Sequence, residues 1–310
     1  MAVYARGYRP YRGQGRGAPA WYVIYREGYS LAFKNWGFRI IGLLFVVWFV
    51  IWAAGLYFTF GLQDQVDRAT RGVGTQNMLS AASQLKQTLS IFYSGVAVLT
   101  GLLAILVGAG LISDDLRTRA LPLYLVRPIR SWEYVLGKAL ILPRILVWTC
   151  LLPGLFYYLL VGLWQPPGET MSWLGGNLDI VESVVMHFLT AATSYTGLML
   201  LLSARTDRRG AVIAVSAAII FAGSLLSLIM ARLEGLGQVM KYAGLPVNTV
   251  CAIARDAVTA SVRTRRGDTH ADRILSFIPE PDVALMIGVG LLALGLFSAI
   301  RRASTVEVSA

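Results

Sequence analysis

The sequence predicts an all-α integral membrane protein with six transmembrane helices, preceded by an amphipathic helix in the membrane interface. Composition is the first observation: of 310 residues, 56% are hydrophobic and only 15% are charged, and the mean hydropathy is +0.60. A soluble domain usually carries about 25% charged residues. The second observation is a series of long apolar segments, and the third is the placement of Lys and Arg between them.

Residues 1–20 predict a flexible basic tail. They are rich in Gly, Arg, Tyr and Pro and carry no acidic residue, so they lack the apolar side chains that a packed core needs. A short basic tail in front of a span contacts anionic lipid headgroups more often than RNA. We therefore expect membrane lipid, and no nucleic acid, as its partner.

Residues 21–37 predict the amphipathic interfacial helix. At 100° per residue, apolar side chains, among them Leu31, gather on one side of the helix and charged side chains on the other. Aromatic rings on such a helix anchor it at the level of the lipid headgroups. The residues that we assign to this helix's contact with the interface are Trp21, Tyr25, Arg26, Lys34 and Trp36.

Six apolar segments follow, and each is long enough to cross roughly 30 Å of hydrocarbon at about 1.5 Å per residue. They are residues 40–60, 89–112, 139–163, 180–203, 211–230 and 283–300. With their connections they form one transmembrane domain, residues 38–310, in which no internal repeat stands out.

A few polar residues fall inside these segments, where a charge is costly unless it is paired, hydrated or close to an interface. They are Arg144, Glu182 and His187. Arg144 follows Lys138 by about one and a half turns, so we expect its side chain to reach the cytoplasmic face. Glu182 is expected at the outer end of its span. We interpret His187 as a packing residue, with a role in proton transfer as the alternative.

The distribution of Lys and Arg predicts the orientation. Basic residues occur in the N-terminal segment, in the 113–138 connection, in the 204–210 turn and at 301–302, whereas the 164–179 loop holds none. Since basic residues concentrate on the cytoplasmic side, we expect both termini in the cytoplasm.

The 231–282 connection is predicted as a long extracytoplasmic loop. It holds seven basic residues, but at this length charge is a weak guide to orientation. Helical spacing of apolar residues predicts short helices over 233–242 and 247–262.

The sequence offers little chemistry of its own. His187 and His270 are the two histidines of the chain, and they cannot supply an HExxH zinc site. The sequence has no GxxxxGK[ST] phosphate-binding loop, so any ATP and Mg must be bound by another subunit. The spans also lack the several ionisable groups that ion-driven carriers place at mid-membrane. We therefore predict no catalytic residue, no metal site and no cofactor bound by this chain.

Residues 112–138 place a large amount of charge between two apolar segments, in the stretch ISDDLRTRALPLYLVRPIRSWEYVLGK. Ser113 is predicted to cap a helix that breaks near Leu121, because Pro122 cannot continue it. A second helix should begin near Ser131, with the hydroxyl of Ser131 as its cap.

This stretch resembles the cytoplasmic connection in the membrane subunits of type-2 ABC transporters. In that family an acidic residue near the end of the second span precedes a leucine-rich run, a proline beside a basic residue, an aromatic or acidic helix start, and a Gly-Lys pair. The matching residues here are Asp114 or Asp115, residues 121–125, Pro128 with Arg130, Trp132 with Glu133, and Gly137 with Lys138. Many members have a Gly-Thr pair where this chain has Arg119 and Ala120.

The resemblance implies a fold like that of type-2 ABC exporters, in which two permease subunits pair as a homodimer or a heterodimer. Each rests a short cytoplasmic helix on a separate ATPase subunit, which binds ATP and Mg. The residues that the resemblance assigns to this docking surface are Asp114, Asp115, Leu116, Arg117, Arg119, Leu121, Leu123, Tyr124, Arg127, Pro128, Arg130, Glu133 and Lys138.

These observations predict a permease subunit that forms a translocation path, exports its substrate and is not itself an enzyme. The alternative is a structural or regulatory membrane subunit that docks a cytoplasmic partner and transports nothing. Both would use the same docking helix. The small and apolar residues of the spans fit either a lipid-like cargo or close packing between helices.

Overall fold

The computed structural model describes residues 18–70, 76–120, 129–166, 168–223, 278 and 280–309, and almost all of them are helical. The helices are α1 (Ala20–Lys34), α2 (Trp36–Thr70), α3 (Gln76–Gly108), α4 (Ser113–Arg117), α5 (Ser131–Ala139), α6 (Ile141–Leu146), α7 (Leu152–Leu163), α8 (Thr170–Gly176), α9 (Leu178–Ser203), α10 (Arg209–Ala217) and α11 (Pro281–Ser309). π-helical turns at Val147–Leu151 and Ala218–Ala222 follow α6 and α10.

Five stretches within these residues are long and apolar enough to cross a membrane. They are Trp36–Phe58, Ala81–Arg117, Ser131–Leu163, Leu178–Ser203 and Pro281–Thr305. The shorter apolar helix Arg209–Ala222 covers the first part of the predicted fifth span. The chain is therefore a helical multi-pass membrane protein, as its composition predicts, while the count of six crossings stays a prediction. The helices predicted over 233–242 and 247–262 lie outside the described residues, as does the tail before residue 18.

Several helices extend beyond the predicted spans. α2 continues to Thr70 and α3 begins at Gln76, so the connection predicted over 61–88 is mostly helical backbone. The sequence from 62 to 71 contains no Gly or Pro, and nothing there stops a helix. The 164–179 connection likewise contains α8, which the sequence did not predict.

α1 packs against the protein as well as facing outward. Ile24, Tyr25, Tyr29 and Ala32, which recur at helical spacing, lie against the buried core formed with α5 and α6. Gly137 makes the approach possible, because a Cβ at that position would lie 2.6 Å from the carbonyl oxygen of Trp21. The amphipathic pattern thus identifies a helix that has part of its apolar side covered by α5 and α6.

The prediction that one helix runs from residue 21 to 37 is wrong at its end. Asn35 is extended and ends α1, and its Oδ1 accepts a hydrogen bond of 3.0 Å from the backbone N–H of Gly37. Trp36 therefore begins α2, and its side chain is 77% exposed. Leu31, predicted on the apolar side, is also exposed, at 61%, because the packed side is the narrower stripe next to α5.

The closest helix packing lies between α9 and α11. A Cβ at Gly197 would lie 2.4 Å from the backbone of Leu291, and a Cβ at Gly295 would lie 2.4 Å from the carbonyl oxygen of Gly197. Nearer the start of both helices, a Cβ at Gly288 would lie 2.4 Å from Thr193 Oγ1. Small residues allow such contact between membrane helices. Because the contacts follow the same order along both helices, α9 and α11 run in the same direction.

The third predicted span is interrupted where the sequence places Pro153. The π-helical turn Val147–Leu151 precedes it, and the hydroxyl of Tyr93 donates a hydrogen bond to the carbonyl of Cys150. A neighbouring helix thus satisfies a carbonyl at the interrupted turn, as a membrane interior requires. Gly154 leaves room for this contact, since a Cβ there would lie 2.4 Å from the Tyr93 hydroxyl oxygen.

Candidate functional site

Charged side chains meet where the two ends of the 113–138 connection approach the start of α10. We call this cluster the polar junction, and its members are Asp114, Asp115, Tyr134, Lys138 and Arg209. α4 supplies the carboxylates, α5 supplies the tyrosine and the lysine, and α10 supplies the arginine. The polar junction therefore ties together the helices on both sides of the predicted docking segment.

Asp115 is the centre of the more buried half of the polar junction. Its Oδ2 lies 2.7 Å from Lys138 Nζ and accepts a hydrogen bond of 2.6 Å from the hydroxyl of Tyr134. The side chains of Asp115 and Lys138 are only 15% and 14% exposed, and Tyr134 is fully buried. Charge-assisted hydrogen bonds in such surroundings are about twice as strong as neutral ones.

Asp114 joins the same region to α10. Its Oδ2 lies 3.1 Å from Arg209 Nη1, while Arg209 Nη2 donates a hydrogen bond of 3.0 Å to the carbonyl oxygen of Leu106 near the end of α3. Gly110 makes room for the pair, because a Cβ there would lie 2.5 Å from Asp114 Oδ2. The side chains of Asp114 and Arg209 are 30% and 34% exposed, so water reaches this half more easily.

A cavity of about 180 Å³ separates the polar junction from α1. Its walls include Leu31 and Asn35 on one side and Asp114, Lys138 and Arg209 on the other. Asp114 Oδ1 is buried and has no hydrogen-bond partner within the described residues. Since a water occupies about 30 Å³ in the liquid, the cavity has room for water molecules beside the polar junction.

The structure corrects both helix caps predicted from the sequence. Ser113 is fully buried, and its hydroxyl donates a hydrogen bond of 2.5 Å to the carbonyl of Ala109 instead of capping α4. Ser131 is the first residue of α5, not its cap. The cap is supplied by Glu133, whose Oε2 accepts a hydrogen bond of 3.0 Å from the backbone N–H of Arg130.

The helix predicted from Ser113 to near Leu121 also ends earlier. α4 stops at Arg117, and Arg119 has a φ of 54°, in the left-handed region that favours glycine. The break therefore precedes Pro122 and has a different cause. A left-handed conformation at a residue with a Cβ costs about 1–2 kcal/mol.

The other residues predicted to dock an ATPase are only partly described. Arg117, Arg119 and Arg130 are exposed at this end of the bundle, and Leu116 is half-buried against the core. Trp132, which the resemblance matched to the helix start, is 45% exposed. The centre of the predicted docking surface, with its apolar residues, lies outside the described residues: Leu121, Leu123, Tyr124, Arg127 and Pro128.

The remaining predicted residues are not members of the polar junction and have separate surroundings. Arg144 is exposed, with its guanidinium carbon 5.6 Å from the centre of the Tyr29 ring. Glu182 is exposed, and His187 is buried with its ring 4.5 Å from that of Tyr93. On α1, Trp21 and Tyr25 are half-buried, whereas Arg26 and Lys34 are exposed.

Sequence reasoning missed two members of the polar junction. Arg209 was counted only as a basic residue of the 204–210 turn, and Tyr134 was not assigned to the site. Both lie within hydrogen-bond distance of an aspartate that was assigned. Nothing in the linear order pairs Arg209 with Asp114, which is 95 positions earlier. The sequence indicated only that a buried tyrosine such as Tyr134 needs a hydrogen-bond partner for its hydroxyl.

Comparison with known families identifies the chain. A family model described as ABC-2 family transporter protein matches residues 23–267. This match covers more than half of the chain, and the protein belongs to that family. No curated protein gives a significant match.

The family membership defines the class of the protein. It is the membrane subunit of an ABC transporter, and as a transport component it is not itself catalytic. The resemblance first indicated by the charged stretch at 112–138 is thus confirmed. Members of this family normally work with an ABC ATPase partner.

Proposed function

We propose that this chain is an exporting permease whose movement is driven by a separate ATPase subunit docked on residues 113–138. Two permease chains, identical or different, enclose the path, and ATP and Mg are bound by the ATPase subunits. The chain lies in the bacterial cytoplasmic membrane with both termini in the cytoplasm. Its membership of the ABC-2 family supports the general scheme, and the polar junction supports the site of coupling.

The observation that carries the proposal is the attachment of the docking segment at both of its ends. Asp115, near the start of the segment, is ion-paired with Lys138 at its end, at 2.7 Å. The neighbouring Asp114 is ion-paired with Arg209 on α10. A force applied to the segment by an ATPase would therefore reach α3, α5 and α10 together, because a chain of hydrogen bonds and packed helices joins them.

The direction of the helices supports six crossings. α9 and α11 run in the same direction, since Thr193 lies by Gly288 and Gly197 lies by Leu291. Because α9 and α11 cross the membrane in the same direction, the chain between them must cross back once. The apolar helix Arg209–Ala222 begins that crossing. With six crossings, the basic connections at 113–138 and 204–210 fall on one side, which is the cytoplasmic side by the distribution of Lys and Arg.

Co-purification tests the docking surface. The tagged chain is extracted from its native membranes, and the bound proteins are examined for a subunit that carries a Walker A motif and hydrolyses ATP. Leu121→Asp and Tyr124→Asp are expected to release this subunit, because a charge is costly in an apolar groove. Leu178→Asp is the matched control. Leu178 is 61% exposed and is the first residue of α9, at the end of that helix away from the 204–210 turn. ATPase binding and stimulation retained in both docking variants would refute this assignment.

Transport itself needs a separate measurement. The complex is reconstituted in vesicles, and ATP-dependent movement of lipids and hydrophobic compounds is followed. Movement away from the side that holds the ATPase subunits, seen only when ATP is added on that side, supports an exporter. ATPase docking without movement of any compound tested would favour the alternative, a regulatory membrane subunit.

A further inference from the structure

A groove between α9 and α11 carries arginines that take no part in the polar junction. Arg205 follows α9, while Arg301 and Arg302 lie near the end of α11. Because the two helices run in the same direction, these side chains meet at one end of the bundle, the end at which Arg209 pairs with Asp114. The groove has a volume of about 560 Å³.

The groove holds an unbalanced positive charge. Arg205, Arg301 and Arg302 are all exposed, and within the described side chains none of them forms an ion pair. Like charges held in one groove repel each other, so an anion bound between them is stabilised by all of them. Guanidinium groups suit phosphate in particular, because they donate parallel hydrogen bonds to its oxygens.

The part of the groove nearer the membrane centre is apolar. It is lined by Leu201, Leu294 and Phe297, of which Leu294 is 58% and Phe297 is 65% exposed. Both belong to a stretch that is long and apolar enough to span a membrane, so they face hydrocarbon rather than water. The surface thus changes from apolar to cationic within about two helical turns. A phospholipid has the same order, with acyl chains below its phosphate.

We propose that this groove binds an anionic phospholipid with two phosphates in its headgroup, of the cardiolipin type. Basic pockets between membrane helices recognise such headgroups, and three arginines exceed what a single phosphate needs. An acidic surface of a cytoplasmic protein fits less well, because it cannot reach Leu294 and Phe297 at hydrocarbon depth. A second copy of this chain, related by a two-fold axis at the groove, also fits less well. It would bring the same arginines together, and their like charges repel.

Lipid selectivity tests the proposal on the full-length chain. The protein is reconstituted in phosphatidylcholine vesicles that contain spin-labelled cardiolipin, phosphatidylglycerol or phosphatidylcholine, and the fraction of motionally restricted label is measured. We expect the protein to prefer cardiolipin over phosphatidylcholine by about tenfold. Its preference for phosphatidylglycerol over phosphatidylcholine should be smaller than this. Arg205→Gln combined with Arg301→Gln should reduce the preference for cardiolipin to about twofold or less.

A matched double variant separates this groove from general attraction to basic residues. Arg39→Gln combined with Arg208→Gln removes the same charge from exposed positions outside the groove, and the preference should stay within about twofold of the original chain. A second groove variant, Leu294→Ala with Phe297→Ala, should lower cardiolipin retention without a change in charge.

Three results would overturn the proposal. The first is an original chain without any preference for cardiolipin. The second is an equal loss in the two arginine double variants, which would indicate only surface charge. The third is efficient disulfide cross-linking of Ser298→Cys, with Cys251→Ser in the same chain, in vesicles of phosphatidylcholine alone, which would place a second copy at the groove. Circular dichroism and gel filtration confirm that each variant is folded.

Discussion

The α9–α11 contact and the polar junction hold helices together in different ways. Between α9 and α11 the backbones touch, and the position of Gly197 has no room for a side chain. At the polar junction, ion pairs join helices across a region with a cavity and with access to water. Close packing permits essentially one arrangement, whereas a partly exposed ion pair such as Asp114–Arg209 contributes little to stability and separates at little cost. We therefore interpret α9 and α11 as the fixed frame and the polar junction as the part that moves.

The largest loss of stability is expected when a large side chain is placed in the contact between α9 and α11. Gly197→Leu would place atoms within the backbone of Leu291, and we expect a loss of at least about 3 kcal/mol or a failure to assemble. Thermal unfolding and the yield of monodisperse protein in detergent measure this. Gly290→Leu is the control on α11, since a Cβ there meets nothing within 4 Å. Equal damage from both variants would contradict the close contact.

The next largest loss of stability is expected from breaking the ion pair in the more buried half of the polar junction. Asp115→Asn keeps an acceptor for Tyr134 but leaves Lys138 unpaired at 14% exposure, and the stability should fall by about 2 kcal/mol. ATPase stimulation in the complex should fall more than ATPase binding does. Asp207→Asn, an exposed carboxylate near the same end, should change neither quantity. If both variants behaved alike, the ion pair with Lys138 would have no special role.

A smaller effect is expected from the more exposed half. Asp114→Asn and Arg209→Gln should each cost about 1 kcal/mol or less, because their pair is about one-third exposed. The double variant should cost less than the sum of the two single variants, since both remove the same contact. Thermal unfolding of the three proteins gives this coupling, and strict additivity would show that the pair is not formed.

The smallest effect concerns the end of α4. Arg119→Gly removes a side chain from a residue with a φ of 54° and should stabilise the chain by about 0.5–1 kcal/mol. Arg119→Ala keeps a Cβ and should bring no such gain. An increase in unfolding temperature for Gly but not for Ala is the expected result, and an equal increase for both would point to charge instead of backbone conformation.

Composition and periodicity were sufficient for the class of fold, because long apolar segments and a stripe of aromatic residues on α1 are properties of local sequence. They misplaced the caps at Ser113 and Ser131, since a buried hydroxyl can bond back to the preceding turn as Ser113 does. They also missed the pairing of Arg209 with Asp114, which depends on how α10 packs beside α3. Local signals predict elements, whereas the site depends on contacts between distant parts of the chain.

Distances between paired spin labels show whether ATPase action moves the polar junction and leaves the frame fixed. In a Cys251→Ser chain bound to its ATPase, one pair is placed across the polar junction, at Arg117→Cys and Asp207→Cys. The other is placed across the frame, at Leu178→Cys and Met286→Cys; all these positions are exposed.

Distances are measured without nucleotide and after trapping with ATP and vanadate. We predict that the distance across the polar junction changes by at least about 2 Å, while the distance across the frame changes by less than about 1 Å. If the distance across the frame changed as much as the distance across the polar junction, or if the latter did not change, the polar junction would not be the moving part.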